Sequence, residues 1–374
     1  MNGLRALLAL TLLGLVALPA SCLLDGFGRQ DITIVGDAGS DVVESDAVLC
    51  AHRSPPPVPA DAEPGAQHDF VVALRTIDMR EGQGADPIGY DLDKTCSCQG
   101  ELASCREPAK KPICDGTEGI DNSAAKIFRL IQGGAGGPEK FGSGFFSDGA
   151  ESGVWTVLMR VRGYNGKADD DTVEFDWYPP AGSAKGPDGG LPIWDGNDTW
   201  PINSGSLEDG ISLDSPKFRN LHAYVTNHVL VASLPSSFFT LGGSGVGGIS
   251  IRLTGGQVTA TIVESDAGTF SLRDGVIAAR WASADLFASL SSFRDDSGDP
   301  ICMGTVTYNF GKNTICSSLD ILSTTGGTSD PCDALSLGMG FTADPAKLGA
   351  PIAPMPPAKY CPDGGDPIND SCDK

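Results

Sequence analysis

From Val154 to Tyr178 the chain reads VWTVLMRVRGYNGKADDDTVEFDWY, and its apolar positions recur every second residue. Trp155, Val157, Met159 and Val161 share one face of the first arm, with Thr156, Leu158, Arg160 and Arg162 on the other. In the second arm Val173, Phe175 and Trp177 alternate with Thr172, Glu174, Asp176 and Tyr178. A period of two marks half-buried antiparallel strands, because successive side chains leave a strand on opposite faces. The pattern predicts a hairpin in which Arg160 and Arg162 face Glu174 and Asp176 across the pair, which fixes its register.

The same reading extends along the chain. Phe70 to Met79 is expected to be the first strand; Ala223 to Leu234, Gly248 to Ser271 and Gly275 to Trp281 supply more, interrupted at Gly242-Gly243 and Gly255-Gly256. Asp121 to Gln132 switches to helical spacing, with Asp121 or Asn122 as cap, Ile127, Leu130 and Ile131 as stripe, and Gly133-Gly134 as stop. Ala282 to Phe293 is a second helical stretch, carrying Leu286, Phe287, Leu290 and Phe293 on one side behind Ser283 as cap. Ile301 to Ile321 fits either helix or strand. Asp330-Pro331 is expected to open a last short helix, since proline suits the first helical position. The part from about 282 to 345 is therefore read as helical, and 346–374 as a Pro-rich, Cys-containing tail. The fold class expected is mainly β: an antiparallel β-sandwich, jelly-roll-like, with short helices and disulfide-pinned loops. It occupies 70–345.

Composition narrows the function classes. The 49 glycines and 26 prolines favour short strands joined by turns. A net charge of −22 speaks against nucleic acid and against a polybasic membrane contact. Met1 to Ser21 reads as an export signal: Arg5 is its only charge, Ala6 to Leu18 is apolar, and Ala20 and Ser21 are small. Leu18-Pro19-Ala20-Ser21-Cys22 resembles a bacterial lipobox, in which the cysteine takes the lipid; Leu18 stands four residues before Cys22 instead of the usual three. Eleven cysteines is an odd number, and setting Cys22 aside leaves ten, enough for five disulfides in an oxidising compartment. Those ten are Cys50, Cys96, Cys98, Cys105, Cys114, Cys302, Cys316, Cys332, Cys361 and Cys372. Leu23 to Asp69, rich in Asp, Gly, Pro and Ser, reads as an acidic tether. Leu23 after the cysteine points to sorting to the outer membrane; simple secretion after a cut at Ala20 is the alternative.

Three stretches carry a resemblance: GYDLDKTCSC at Gly89 to Cys98, CDGTEGIDNS at Cys114 to Ser123, and DPCDALSLGMGFTADPAKLG at Asp330 to Gly349. With the hairpin and the loop WDGNDTW at Trp194 to Trp200, they resemble a group of exported lipoproteins of myxobacteria. The resemblance implies surface location and one integrated domain, and it brings no catalytic residues. At the level of architecture the chain is also similar to concanavalin-like jelly rolls, which implies two packed sheets.

Candidate chemistry is sparse. Glu174-Phe175-Asp176 resembles the carboxylate strand of a jelly-roll glycosidase family, but Pro179 stands where the acid/base glutamate belongs. Retaining hydrolysis needs two carboxyl groups, so the two read first as outward residues of an ordinary strand. Asp169, Asp170 and Asp171 offer oxygen ligands for Ca²⁺ or form a solvated acidic turn. Trp194 and Trp200 flank Asn197 and Asp198, so flat apolar faces lie beside polar groups, as a sugar ring requires; tryptophans also plug the open end of a sandwich. His222 and His228, six apart, would share a face on one regular strand. There is no GxSxG, HExxH or phosphate loop. The reading that follows is a lipid-anchored envelope protein whose β domain binds a glycan or matrix component, not an enzyme. A secreted hydrolase with an unrecognised site and a structural scaffold are the alternatives.

Overall fold

A computed structural model describes residues 50–374 apart from 63, 64, 66, 83, 109–111, 135–141, 187, 244, 245, 292–298, 325, 355–360, 363 and 374. The export signal, Cys22 and the first part of the tether lie outside the described residues.

The elements follow the alternation closely in the first half. β1 (His68–Asp78), β2 (Leu158–Tyr164) and β3 (Asp170–Tyr178) form consecutive antiparallel neighbours. The hairpin has the register expected of it: Arg160 stands opposite Asp176 and Arg162 opposite Glu174. After β4 (Thr199–Asn203) come β5 (Arg219–Thr226), β6 (Val229–Gly243), β7 (Val246–Glu264) and β8 (Phe270–Ala282). β9 (Ala334–Pro345) closes the set, and β10 (Lys347–Ile352) follows it. The helices are α1 (Ala124–Gly134), α2 (Ser143–Glu151), α3 (Ser283–Leu290) and α4 (Val306–Cys316).

Eight strands close into one antiparallel barrel in the order β1-β2-β3-β5-β6-β7-β8-β9, with β9 paired back onto β1. The two facing sheets of the expected sandwich are replaced by one sheet that meets itself. An eight-stranded barrel has an interior just wide enough for side chains to fill. Here it is filled by Val72, Met159, Phe175, Trp177, Phe239, Ile251, Leu272, Leu337 and Met339, all buried in one cluster.

The inward parity changes along several strands, and it changes where the pairing slips. β7 turns Ile251 and Leu253 inward, then Val258 and Ala260, and its register with β8 shifts between Thr254 and Gln257. Gly255 sits there with φ +57°. A β-bulge thus takes the place of the strand break expected at Gly255-Gly256: it bends the sheet and re-aims the side chains without ending the ladder. At the β5–β6 connection Asn227 and His228 both have positive φ, the conformation of a tight hairpin turn. His228 is therefore a turn residue and His222 an exposed strand residue, so the two do not share a strand face.

The expected last helix is β9 instead. Leu335, Leu337, Met339, Phe341 and Ala343 point into the barrel. The alternate positions Ala334, Ser336, Gly338 and Gly340 are small and also covered. With both faces buried the strand carries no polar alternation, which is why its period is illegible. Within Ile301 to Ile321, Val306–Cys316 is helix α4. Ser283 makes no capping bond at the start of α3, where Ala282 occupies the cap position. In α1 the expected capping is met by Asn122, whose Oδ1 accepts the Ala125 N–H at 3.3 Å.

α2 packs against β1 and β6, which stand on opposite sides of the ring, so it lies across one mouth of the barrel. Its Phe146 carbonyl accepts the Trp155 indole N–H at 2.8 Å. Outside the barrel a second, smaller core forms where Ala73, Leu158 and Tyr178 face outward under Trp200 and Ile202 of the parallel β4–β10 pair. All ten expected cysteines are paired: Cys50–Cys96, Cys98–Cys114, Cys105–Cys332, Cys302–Cys361 and Cys316–Cys372. From Cys50 on, the described part of the stretch read as tether is bonded to the domain. The Arg53 N–H donates to the Glu118 carbonyl, the Asp91 N–H to the Arg53 carbonyl, and the Tyr224 hydroxyl to the Pro56 carbonyl.

Candidate functional site

Three sets of residues were singled out by sequence, and the fold treats each differently. In the loop before β4, Asp198 is fully buried and accepts the backbone N–H groups of Ile193 and Trp194. This wraps the loop around its own carboxylate and holds Trp194 at φ +59°. Trp200 is wholly buried in the outer core, with its ring centroid 5.4 Å from that of Trp194. Trp194 is half-buried: its indole N–H donates to the Glu151 carbonyl, and the Arg75 guanidinium lies 5.3 Å from its ring centroid. Asn197 is exposed and accepts a hydrogen bond from Lys347. Trp194 and Asn197 are thus the members of this set that reach the surface.

The acidic hairpin loop spreads its carboxylates. Asp170 is buried and accepts the Asn165 and Thr172 N–H groups, Asp169 accepts the Asn227 N–H, and Asp171 is exposed. Each carboxylate faces a different neighbour, as strand alternation demands. Glu174 and Asp176 lie together on the outer face of β3. Arg160 grips Asp176 through Nε and Nη2 at 2.9 and 2.8 Å, and Arg162 Nη2 stands 3.2 Å from the same carboxylate. Glu174 pairs with both Arg162 and Arg219. Both carboxylates are taken up by ion pairs with arginines, which leaves neither free to face a leaving group.

A further carboxylate cluster lies between the first two stretches that carry the family resemblance. Asp91, Asp93 and Asp121 each place an oxygen within 4.8 Å of the others. Asp91 and Asp121 are buried, and Asp115 adds its charge beside them. Burial, then the neighbouring negative charges of Asp93, Asp320 and Asp115, push Asp121 up to about 10. Burial likewise pushes Asp115 up to about 7. His52 stands 2.5 Å from Asp91, and this hydrogen bond raises its pKa. Hard oxygen donors of this kind suit Ca²⁺ or Mg²⁺. The oxygens also serve the protein: Asp91 accepts the Lys94 N–H, Asp93 accepts from Thr95 and Ser104, and Asp121 accepts the Leu92 N–H. The cluster therefore organises the loops around Cys96 whether or not a cation joins it. A second grouping, His52, Cys96 and Glu101, contains a sulfur already bound to Cys50 and so offers no thiolate.

The sequence signal for this cluster was present in GYDLDKT and CDGTEGID, but the carboxylates are separated by chain and meet only through the fold. Compared with protein families, curated proteins and solved structures, the chain finds no match.

Proposed function

We propose that this is an exported, lipid-anchored protein of the cell envelope whose barrel domain binds a surface glycan or matrix component without catalysing a reaction. The pairing of the cysteines carries the reading. Every cysteine from Cys50 onward has a partner within the chain, so Cys22 has none left to pair with. Five disulfides suit an oxidising compartment, and the residual cysteine falls at the end of the export signal, where lipidation occurs. Most apolar side chains of the barrel point inward, and the outward Ala73, Leu158 and Tyr178 are covered by Trp200 and Ile202. Membrane-spanning barrels place them outward, so attachment here falls to the lipid. The arginine-paired state of Glu174 and Asp176 favours binding over hydrolysis.

The test has two arms. Mass spectrometry of the N-terminal peptide should show a diacylglyceryl-modified Cys22, and Cys22→Ser should move the protein from the membrane to the soluble fraction. An unmodified N-terminus starting at Ser21 would sink the anchor. For binding, a glycan array should return signal above background from the full chain; a blank array removes the glycan reading.

A further inference from the structure

On the outer wall of the barrel, β1, β8 and β9 border an open groove of about 320 Å³. Its size is at the small end for ligand sites, near that of one or two sugar rings. β9 presents Gly340 at its floor, where a Cβ would stand 3.0 Å from Ile88 Cδ1 and 3.4 Å from Asp78 Cβ, so those two side chains close in over the glycine. Pairing irregularities flank the groove on both sides, between Leu74 and Thr76 on β1 and between Leu272 and Gly275 on β8. Bulges of this kind re-aim side chains. Asp274 lies in the second of them at φ +48°, exposed, with no hydrogen-bond or ion-pair partner among the described residues.

The remaining polar groups are varied and close together. The Thr76 and Thr342 hydroxyls lie 2.6 Å apart, so one of the two keeps a free O–H. Asp78 and Arg80 form an ion pair at 2.9 Å at the rim. Ile88 and Val276 supply apolar surface. An anion is opposed by two aspartates, and an alkylammonium is opposed by Arg80 and leaves the donors of Arg80 and of the threonine pair unused. A neutral polyhydroxylated ring meets all of them: vicinal hydroxyls donate to a carboxylate, ring oxygens accept from Arg80 and threonine, and a CH face lies on Ile88 and Val276.

We propose that this groove is a saccharide-binding site, with Asp274, the Thr76–Thr342 pair and Arg80 as its polar contacts. The proposal rests on the glycan-binding reading above and places recognition on the barrel wall instead of the Trp194–Trp200 loop. Saturation-transfer NMR on the full chain would test it, using glucose, galactose, mannose and N-acetylglucosamine with their β-linked dimers, and spermidine as a cationic probe. At least one sugar should bind with a Kd near the millimolar range, as befits a small open site. Asp274→Asn should weaken that sugar about fivefold, since the amide keeps one acceptor oxygen but loses the charge that strengthens the bond. Thr342→Val should weaken it about fivefold. Asp274→Asn should keep the wild-type melting temperature within a degree or two, and Trp194→Ala, although it loosens the packing on Trp200, should keep the affinity. Sugar binding that survives Asp274→Asn but is lost in Trp194→Ala overturns the groove and leaves the glycan reading standing. No sugar binding by the wild type overturns both. Asp274-dependent binding of spermidine alone overturns the ligand class.

Discussion

At the scale of single residues, the strongest constraints are buried charges with dedicated partners. Asp176 is fully buried and faces three arginines. Removing one member of such a group strands the others in a low-dielectric site, at a cost of about 3–5 kcal/mol. Asp176→Asn is therefore expected to lower the unfolding free energy by that amount, read as a lower urea midpoint at constant m-value; a change under 1 kcal/mol would show the network to be dispensable. Asp370 makes the opposite case near the C-terminus. Burial works against its carboxylate, but hydrogen bonds from Lys312 and Tyr308 outweigh this and hold its pKa at about 2. A carboxylate with a depressed folded pKa binds protons less readily when folded. Its stabilisation is thus present above about pH 4 and is lost as pH falls toward 2. Asp370→Asn should be less stable than the wild type at pH 6 by about 1 kcal/mol, and the gap should close by pH 2. A gap independent of pH refutes the assignment.

At the scale of elements, β9 is the piece on which the others depend. It pairs with both β1 and β8 and so closes the ring. Its outward face is built for a loop to lie on. Asn122 Nδ2 donates to the Ile88 and Gly338 carbonyls, while its Oδ1 accepts the Gly338 N–H. A Cβ at Gly338 would collide with the Ile88 carbonyl oxygen and approach Asn122. The backbone of the loop is thereby pressed against the strand, a proximity that only glycine allows. Gly338→Ala should destabilise the protein by about 2–3 kcal/mol and raise amide exchange around 86–92. Unchanged exchange there would mean the loop is held elsewhere. Farther along the same face, Asp320 accepts from Ser336 and Ser123, tying α1 to β9 through a wholly buried carboxylate whose pKa burial raises.

At the scale of the molecule, the disulfides fasten what surrounds the barrel and leave the sheet alone. Cys105–Cys332 joins the first loop region to the start of β9 across 227 residues, and Cys302–Cys361 and Cys316–Cys372 hold the tail to the helical segment. The continuous hairpin and sheet region between Cys114 and Cys302 contains no cysteine. A chain of this length buries enough apolar surface to keep a sheet without cross-links. Reduction should therefore lower the melting temperature, with each bridge contributing about 2–4 kcal/mol, and leave a β-rich far-ultraviolet spectrum. Thiol titration should find ten reactive groups after reduction and none before in protein lipidated at Cys22. Loss of the β spectrum on reduction would make the bridges part of the core.

The alternation of side chains alone determined the hairpin, its register and the residues it buries, because strand geometry couples neighbouring positions directly. The cysteine count likewise implied complete pairing, since it follows from parity and redox chemistry. Which cysteine meets which, and whether the sheet faces a partner or closes on itself, depended on contacts between distant segments. Phe341 of β9 stands opposite Ile77 of β1, and no local period in either stretch reports that pairing. The helix expected at Asp330-Pro331 failed for the same reason: β9 is covered on both faces, so solvent imposes no alternation on it. Asp91, Asp93 and Asp121 were plain in the sequence as separate acids, but only the folding of two loops onto one another made them a cluster. The groove over Gly340 is likewise a property of three strands at once. A glycine in a strand is legible by itself; the groove it lines belongs to its neighbours.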